Sequence, residues 1–206
     1  MTYQTVSMTK REQSEQTRKA IIETAANLIH RKGFMNTSLD EIIGQIGLTK
    51  GAFFHHFSNK KELGFAIIDY WKQNLYEKWV MPLESSDDPL RDLYEVPRRI
   101  YGDYTMDDVA KGCPLANLAT ELSPLDEDLR LGVLGIYRML EEGVASALRR
   151  GQELGTVRSD VDAILLARFY EDLMAGTRSV AKNTLDKGRI MGTIELFKDY
   201  LESQRV

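Results

Sequence analysis

The stretch 33–63, GFMNTSLDEIIGQIGLTKGAFFHHFSNKKEL, decides how this chain reads. Thr37 and Ser38 stand before Leu39, Ile42, Ile43 and Ile46, apolar positions at helical spacing. Ser38 with Glu41 three residues on is a capping-box spacing, so a helix is predicted to begin there. Gly47 follows the last apolar position and can take a positive φ, which lets the chain turn sharply. Thr49 then predicts the cap of a second short helix, from Lys50 to about His56. Two short helices joined by a tight turn are the layout of a helix-turn-helix, whose second helix lies in a DNA major groove.

The residue types agree with that use. Leu39, Ile42, Ile46, Leu48, Phe53 and Phe57 form one apolar set able to hold the two helices together. Lys50, Gly51, Ala52, His55 and His56 are left outside it. Gly51 and Ala52 are small enough for backbone to approach bases, and Lys50 and the histidines offer donors to bases or phosphates. Thr37, Thr49 and Lys60 sit at helix N-termini, where N–H groups and dipole favour phosphate. The other reading of the same residues is a plain helical hairpin inside a bundle.

With Gly33, Phe34, Thr37, Ser38, Leu39, Ile42, Gly47 to Gly51, Phe54 to Phe57, Lys60 and Leu63 in order, the stretch resembles the DNA-binding domain of the tetracycline-repressor (TetR) family of bacterial regulators. The resemblance implies DNA contacts at Thr37, Ser38, Thr49, Lys50, Gly51, Ala52, Phe54, His55, His56 and Lys60. One position departs: the family usually has Tyr where this chain has Phe54, and Phe54 has no hydroxyl for a phosphate. Packing, or apolar contact with a thymine methyl, is what remains to it. His56 fits the family's aromatic or His position before Phe57.

Composition sets the wider frame. The 206 residues are 43% hydrophobic and 28% charged with five prolines, enough for a packed core and unlike a disordered chain. Residues 1–60 hold eight Lys/Arg against five Asp/Glu, and the rest 19 against 26. A mildly basic start on an acidic body suits a small DNA-contacting head and argues against indiscriminate coating of nucleic acid. No apolar run reaches the length of a membrane span, and the N-terminus has no apolar core of a signal peptide, so a cytoplasmic protein with no membrane partner is expected. A single cysteine, Cys113, fits a reducing compartment.

Along the chain, 1–13 reads as a weakly structured tail in which Lys10 and Arg11 could reach a minor groove. Helix one is predicted over 15–32, with Arg18 and Lys19 near its start. A long helix follows from about Lys60 to Pro82, with Leu63, Ile67, Trp71, Leu75 and Trp79 in one stripe; it could couple the head to the rest mechanically. Residues 83–89 read as linker, 90–104 as a helix broken or kinked at Pro97, and 105–112 as loop. Helices are then predicted over 115–122, 126–150, from Ser159 and Asp162 to about 183, and 186–200. No strand alternation or repeat interrupts this, so the expected fold is all-α, about nine helices, with a 1–60 head and a 61–206 body.

In that body the resemblance implies a small-molecule inducer site and a homodimer through the last two long helices. Their broad apolar faces and the small Ala175 and Gly176 permit the pairing. Trp71, Tyr94, Tyr101, Tyr104, Leu118, Tyr137 and Phe169 are the candidate lining of a ligand cavity, against the alternative that each is ordinary core. Cys113 joins them. Gly112, Cys113 and Pro114 place its thiol at a helix N-terminus beside Lys111, a setting that favours thiolate. The segment GCPLANLATELS resembles one branch of the family that includes thiol-based sensors; the competing reading is a small buried residue in the cavity wall.

Enzyme chemistry finds no support. All three histidines lie in the first 56 residues, and no HExxH, CxxC, GxSxG, phosphate loop or paired-carboxylate signature is present, so no catalytic residue, metal or cofactor is expected. The leading reading is a ligand-responsive regulator, a repressor released from a pseudo-palindromic operator. An activator of the same fold, or a helical interaction protein without a DNA role, is the alternative.

Overall fold

The computed structural model of the chain describes residues 8–206. Its architecture is all-α: no strand is formed among the described residues. The chain divides into two compact units, one ending at Tyr70 and the other starting at Trp71. The change falls within a helix, ten residues beyond the boundary expected near Lys60.

The first unit is built from α1 (Lys10–Lys32), α2 (Leu39–Ile46), α3 (Lys50–Phe54) and the start of α4 (Lys60–Leu75). α1 begins earlier than the apolar pattern predicts. Thr9 and Glu12 form a reciprocal capping box there, and Arg11 pairs with Glu15 at 2.9 Å one turn on. Lys10 and Arg11 are therefore first-turn helix residues and not a loose arm; residues 1–7 of the expected tail lie outside the described residues. Ile21, Ala25, Ile29, Ile42, Phe53, Phe57 and Leu63 make the core of this unit, each 2% exposed or less. Truncating Phe53 there would cost about 3–5 kcal/mol.

α4 does not run unbroken to Pro82. After Leu75 it passes into a π turn, Tyr76–Val80, and a last helical turn, α5 (Met81–Glu84). Such i→i+5 insertions recur at functional sites. The second unit continues through α6 (Pro89–Gly102), α7 (Met106–Lys111), α8 (Pro114–Leu122), α9 (Glu127–Glu153), α10 (Ala163–Thr184) and α11 (Lys187–Glu202).

Two details here have local causes. Pro97 lies inside α6 and does not break it: the helix runs on through it, with Leu93, Tyr94, Val96, Pro97 and Tyr101 all buried. The stretch over 105–112 is helical: Thr105 and Asp108 make a second full capping box at the head of α7. Asp108 is held down to about 2, with the Thr105 hydroxyl bond its main cause.

Elsewhere aspartates start the helices. Asp88, Asp126, Asp162 and Asp186 each accept backbone N–H bonds at the N-termini of α6, α9, α10 and α11. α10 packs along α9, and α11 against α6 and α10. No described helix is long and apolar enough to cross a membrane.

Candidate nucleic-acid interface and ligand cavity

The head is assembled by short-range capping. The Ser38 hydroxyl accepts from Glu41 N at 3.1 Å, which fixes the start of α2. The Glu41 carboxylate pairs with Lys32 rather than closing the reciprocal half of the box. Gly47 takes φ 73°, ψ 27° at the end of α2, a left-handed turn open to glycine at no steric cost. Thr49 then caps α3 by accepting from Ala52 N at 3.1 Å. Phe53 faces inward, edge-on to Phe54 at 5.5 Å and 5.9 Å from Phe57.

This leaves Ser38, Thr49, Lys50, Gly51, Phe54 and His55 exposed, and Ala52, His56 and Lys60 half-buried. Lys50 pairs with Asp40 at 2.8 Å, with both side chains about two-thirds exposed. Such a bridge contributes about 0–1 kcal/mol, so phosphate can replace it at little cost. The His56 imidazole sits below its ordinary pKa, first from partial burial, then from His55 and Arg18. Lys60 lies over the Phe34 ring at 4.7 Å. Phe54 is half-exposed, with its ring available for apolar contact.

Thr37 differs from the rest of this group. It is fully buried and its hydroxyl donates to the Gly33 carbonyl at 2.8 Å. Its side chain joins α1 to α2 and is not presented to phosphate.

The second unit holds a cavity of about 60 Å³. Leu75 at the end of α4, Trp79 and Val80 from the π turn, Tyr101 from α6, Cys113 and Leu115 at the start of α8, Tyr137, Leu140 and Val144 on α9, and Ala167, Tyr170, Glu171, Met174, Ala175 and Arg178 on α10 line it. Of the residues expected at such a cavity, Tyr101, Cys113 and Tyr137 line it. The other five do not. The wall begins at Leu75, one turn past Trp71. Tyr94 is a core residue whose hydroxyl donates to Glu195 at 2.9 Å. Tyr104 stacks edge-on behind Tyr101 at 5.0 Å. Leu118 is buried in packing away from the space. Phe169 is 44% exposed, because one residue is about 100° around a helix and its neighbour Tyr170 takes the inward place.

Cys113 is 8% exposed and sits at the N-cap of α8, where its side chain makes no capping bond. It is a wall residue and not a partly exposed thiol.

Trp79, Tyr170, Glu171 and Arg178 are among the lining residues not expected from the sequence. Tyr170, Met174 and Arg178 recur every four residues on α10, and that spacing is the signal that could have found them. Burial raises the Tyr101 and Tyr170 hydroxyls and pushes Tyr137 up to about 12. Glu171 is raised to about 8, by burial first and then by Asp172 and Glu141. At neutral pH its carboxyl is mostly protonated. Arg178 is 6% exposed; its Nη2 donates to the Gly112 carbonyl at 2.6 Å, and its guanidinium lies 5.5 Å from the rings of Tyr101 and Tyr104.

A capped helix-turn-helix head and a helical body with an aromatic-lined cavity define the class of helix-turn-helix regulators of transcription. Residues 21–67 match the family described as "Bacterial regulatory proteins, tetR family", and residues 89–195 match "Tetracyclin repressor-like, C-terminal domain". The chain belongs to the tetR family of bacterial regulators.

Relatives agree. A helix-turn-helix transcriptional regulator encoded in the lacX 3' region of Lactococcus lactis is 33% identical over 136 residues, 64% of this chain and 68% of that one. The transcriptional repressor DhaR of a Mycobacterium species is 28% identical over 153 residues, 74% of this chain and 75% of its own. Among solved structures, a TetR-family regulator from Cytophaga hutchinsonii superposes with TM-score 0.81 at 24% identity, covering 97% of this chain and 98% of that one. The reduced form of Escherichia coli NemR gives TM-score 0.81 at 19% identity over 93% of this chain and 97% of its own. These two likenesses establish the fold alone.

Proposed function

We propose that this chain is a dimeric repressor that leaves its operator when a small molecule occupies the cavity of the second unit. The observation that carries the reading is the pairing, in one chain, of an open capped recognition helix with an aromatic-lined cavity. α3 offers Thr49, Lys50, Gly51, Ala52, His55 and His56 to DNA, with Ser38 and Lys60 at the N-termini of the flanking helices. The dimer supplies two heads for the two halves of a pseudo-palindromic site.

The exposed faces of α10 and α11 suit the pairing. Leu165, Phe169, Leu196 and Tyr200 are 63, 44, 76 and 43% exposed, an unusual cluster for helices of a monomer. The chain leaves the head through α4, whose last residue, Leu75, borders the cavity. Occupancy acts on the head through this helix. A hundredfold loss of operator affinity needs only about 2.7 kcal/mol of ligand preference for the released state. Buried in the wall, and without a second cysteine to pair with, Cys113 favours reversible occupancy over thiol chemistry.

The test is binding of the purified chain to DNA from upstream of its own gene, with a scrambled duplex as control. Sequence-specific, salt-dependent binding supports the reading. Loss of that binding on adding a quinone, abolished in Cys113→Ser, would replace reversible occupancy by a thiol sensor. Absence of specific binding here and in selection from a random-sequence pool would sink the DNA-binding function.

A further inference from the structure

Among the described residues, the two buried side-chain polar atoms that lack a hydrogen-bond partner are Nε of Arg178 and Oε1 of Glu171. Both residues line the cavity. They stand seven positions apart on α10, two turns of one face, so they are roughly 10 Å apart along the helix. Buried polar groups are ordinarily satisfied, and two orphans at one otherwise apolar space point to something that enters it.

The chemistry of the entrant follows from the pair. Arg178 cannot give up its proton, and no carboxylate pairs with it; its surroundings are the Gly112 carbonyl, Tyr101, Tyr104 and Cys113. A buried cation without a counter-ion is costly, and an anion relieves more of that cost than a water does. Glu171, mostly protonated, places no opposing negative charge at the other end. Trp79, Tyr137 and Tyr170 line the same cavity and bring aromatic rings to it. A cavity of about 60 Å³ is smaller than the roughly 150 Å³ that takes a benzene ring, so an entrant has one ring at most and the walls part to admit it. One guanidinium neutralises a carboxylate, whereas a phosphate dianion would keep an uncompensated buried charge.

We propose that the cavity binds a small aromatic carboxylate, its anionic group on Arg178, its ring among Trp79, Tyr137 and Tyr170, and a ring hydroxyl, where present, on Glu171. The proposal rests on reading this cavity as the inducer site and names the chemistry of the inducer.

Calorimetric titration of the full chain, without DNA, tests it using 4-hydroxybenzoate, benzoate and the neutral 4-hydroxybenzamide. Wild type is expected to bind 4-hydroxybenzoate at least tenfold more tightly than the amide. Arg178→Gln should remove that difference and Arg178→Lys should restore part of it. Glu171→Met should abolish the preference for the hydroxylated acid over benzoate. Amide and acid binding alike, or neither acid binding, in wild type would overturn the proposal, and this comparison stands even where Arg178→Gln does not fold. Fluorescence anisotropy of operator DNA separates the two readings. Carboxylate binding with DNA retained keeps the proposal and refutes the inducer role. DNA release by another class of compound, with no carboxylate bound, keeps the inducer role and refutes the proposal.

Discussion

Arg178 on α10 donates from Nη2 to the carbonyl of Gly112 at 2.6 Å, joining two residues 66 positions apart. The bond fastens the cavity's arginine to the residue that precedes its cysteine, so both walls are set by one joint. Gly112 takes φ +72°, and a Cβ there would meet Lys182 Cδ at 2.8 Å and Lys182 Cβ at 3.3 Å.

Gly112→Ala therefore carries backbone strain and a clash together. A destabilisation of about 1–3 kcal/mol is expected, a fall of several degrees in Tm. Thermal unfolding followed by circular dichroism reads it. An unchanged Tm would show that the 111–114 segment adjusts freely and that the joint does not hold the wall.

At the head, Lys50 and Thr49 should separate two kinds of effect. Lys50→Ala loses a weak exposed bridge to Asp40, so stability should stay within about 0.5 kcal/mol. Operator affinity should fall, and the slope of log affinity against log salt should drop by about one phosphate contact. Thr49→Ala removes the bond from Ala52 N and should cost about 1 kcal/mol of head stability in addition to any loss at phosphate. A salt slope unaltered by Lys50→Ala would remove that lysine from the phosphate contacts.

The head was legible in the sequence because its signals are local. Ser38, Gly47 and Thr49 act on backbone groups within five residues of themselves, and spacing alone reveals them. The same kind of signal, Thr105 with Asp108, was present at α7 but stood outside any apolar stripe. The body was legible only as helices. Whether Phe169 or Tyr170 faces inward depends on which neighbour α10 packs against, and that is a long-range fact. Arg178 shows the limit most clearly. A charged residue late in an amphipathic helix reads as solvent-facing, and it is buried here because Gly112 and two tyrosine rings receive it.

Glu171 makes stability depend on pH in a defined direction. Its folded pKa, about 8, lies above the ordinary carboxyl value of 4.5. Between those values the folded chain holds a proton that the unfolded chain has released. This contribution to stability is fully present below about pH 4.5 and is lost as pH rises through about 8. Glu171→Gln, which stays neutral, should gain on wild type steadily across that window and by a constant amount above it. Denaturant midpoints at pH 5, 7 and 9 check the trend. A mutant-to-wild-type difference that does not change with pH would mean the carboxyl is solvated and titrates normally.

The exposed faces of α10 and α11 lead to the last expectation. Phe169 meets the edges of Phe197 at 5.8 Å and Tyr200 at 5.4 Å, and Phe197 stacks on Tyr200 at 5.7 Å. Phe197 is buried, so this aromatic group is rooted in the body, while Leu165, one turn before Phe169, and Leu196, one turn before Tyr200, project from it. If this face pairs with a second copy, a charge on it is buried without a partner and association fails. The double substitution Leu165→Glu and Leu196→Glu should convert the chain to a monomer by sedimentation, with half-site DNA contacts weakened to non-specific levels. Because both leucines are exposed in the single chain, the secondary structure should survive, and circular dichroism at low protein concentration separates dissociation from unfolding. A double variant that remains dimeric would move the interface elsewhere and leave the α10–α11 face unexplained.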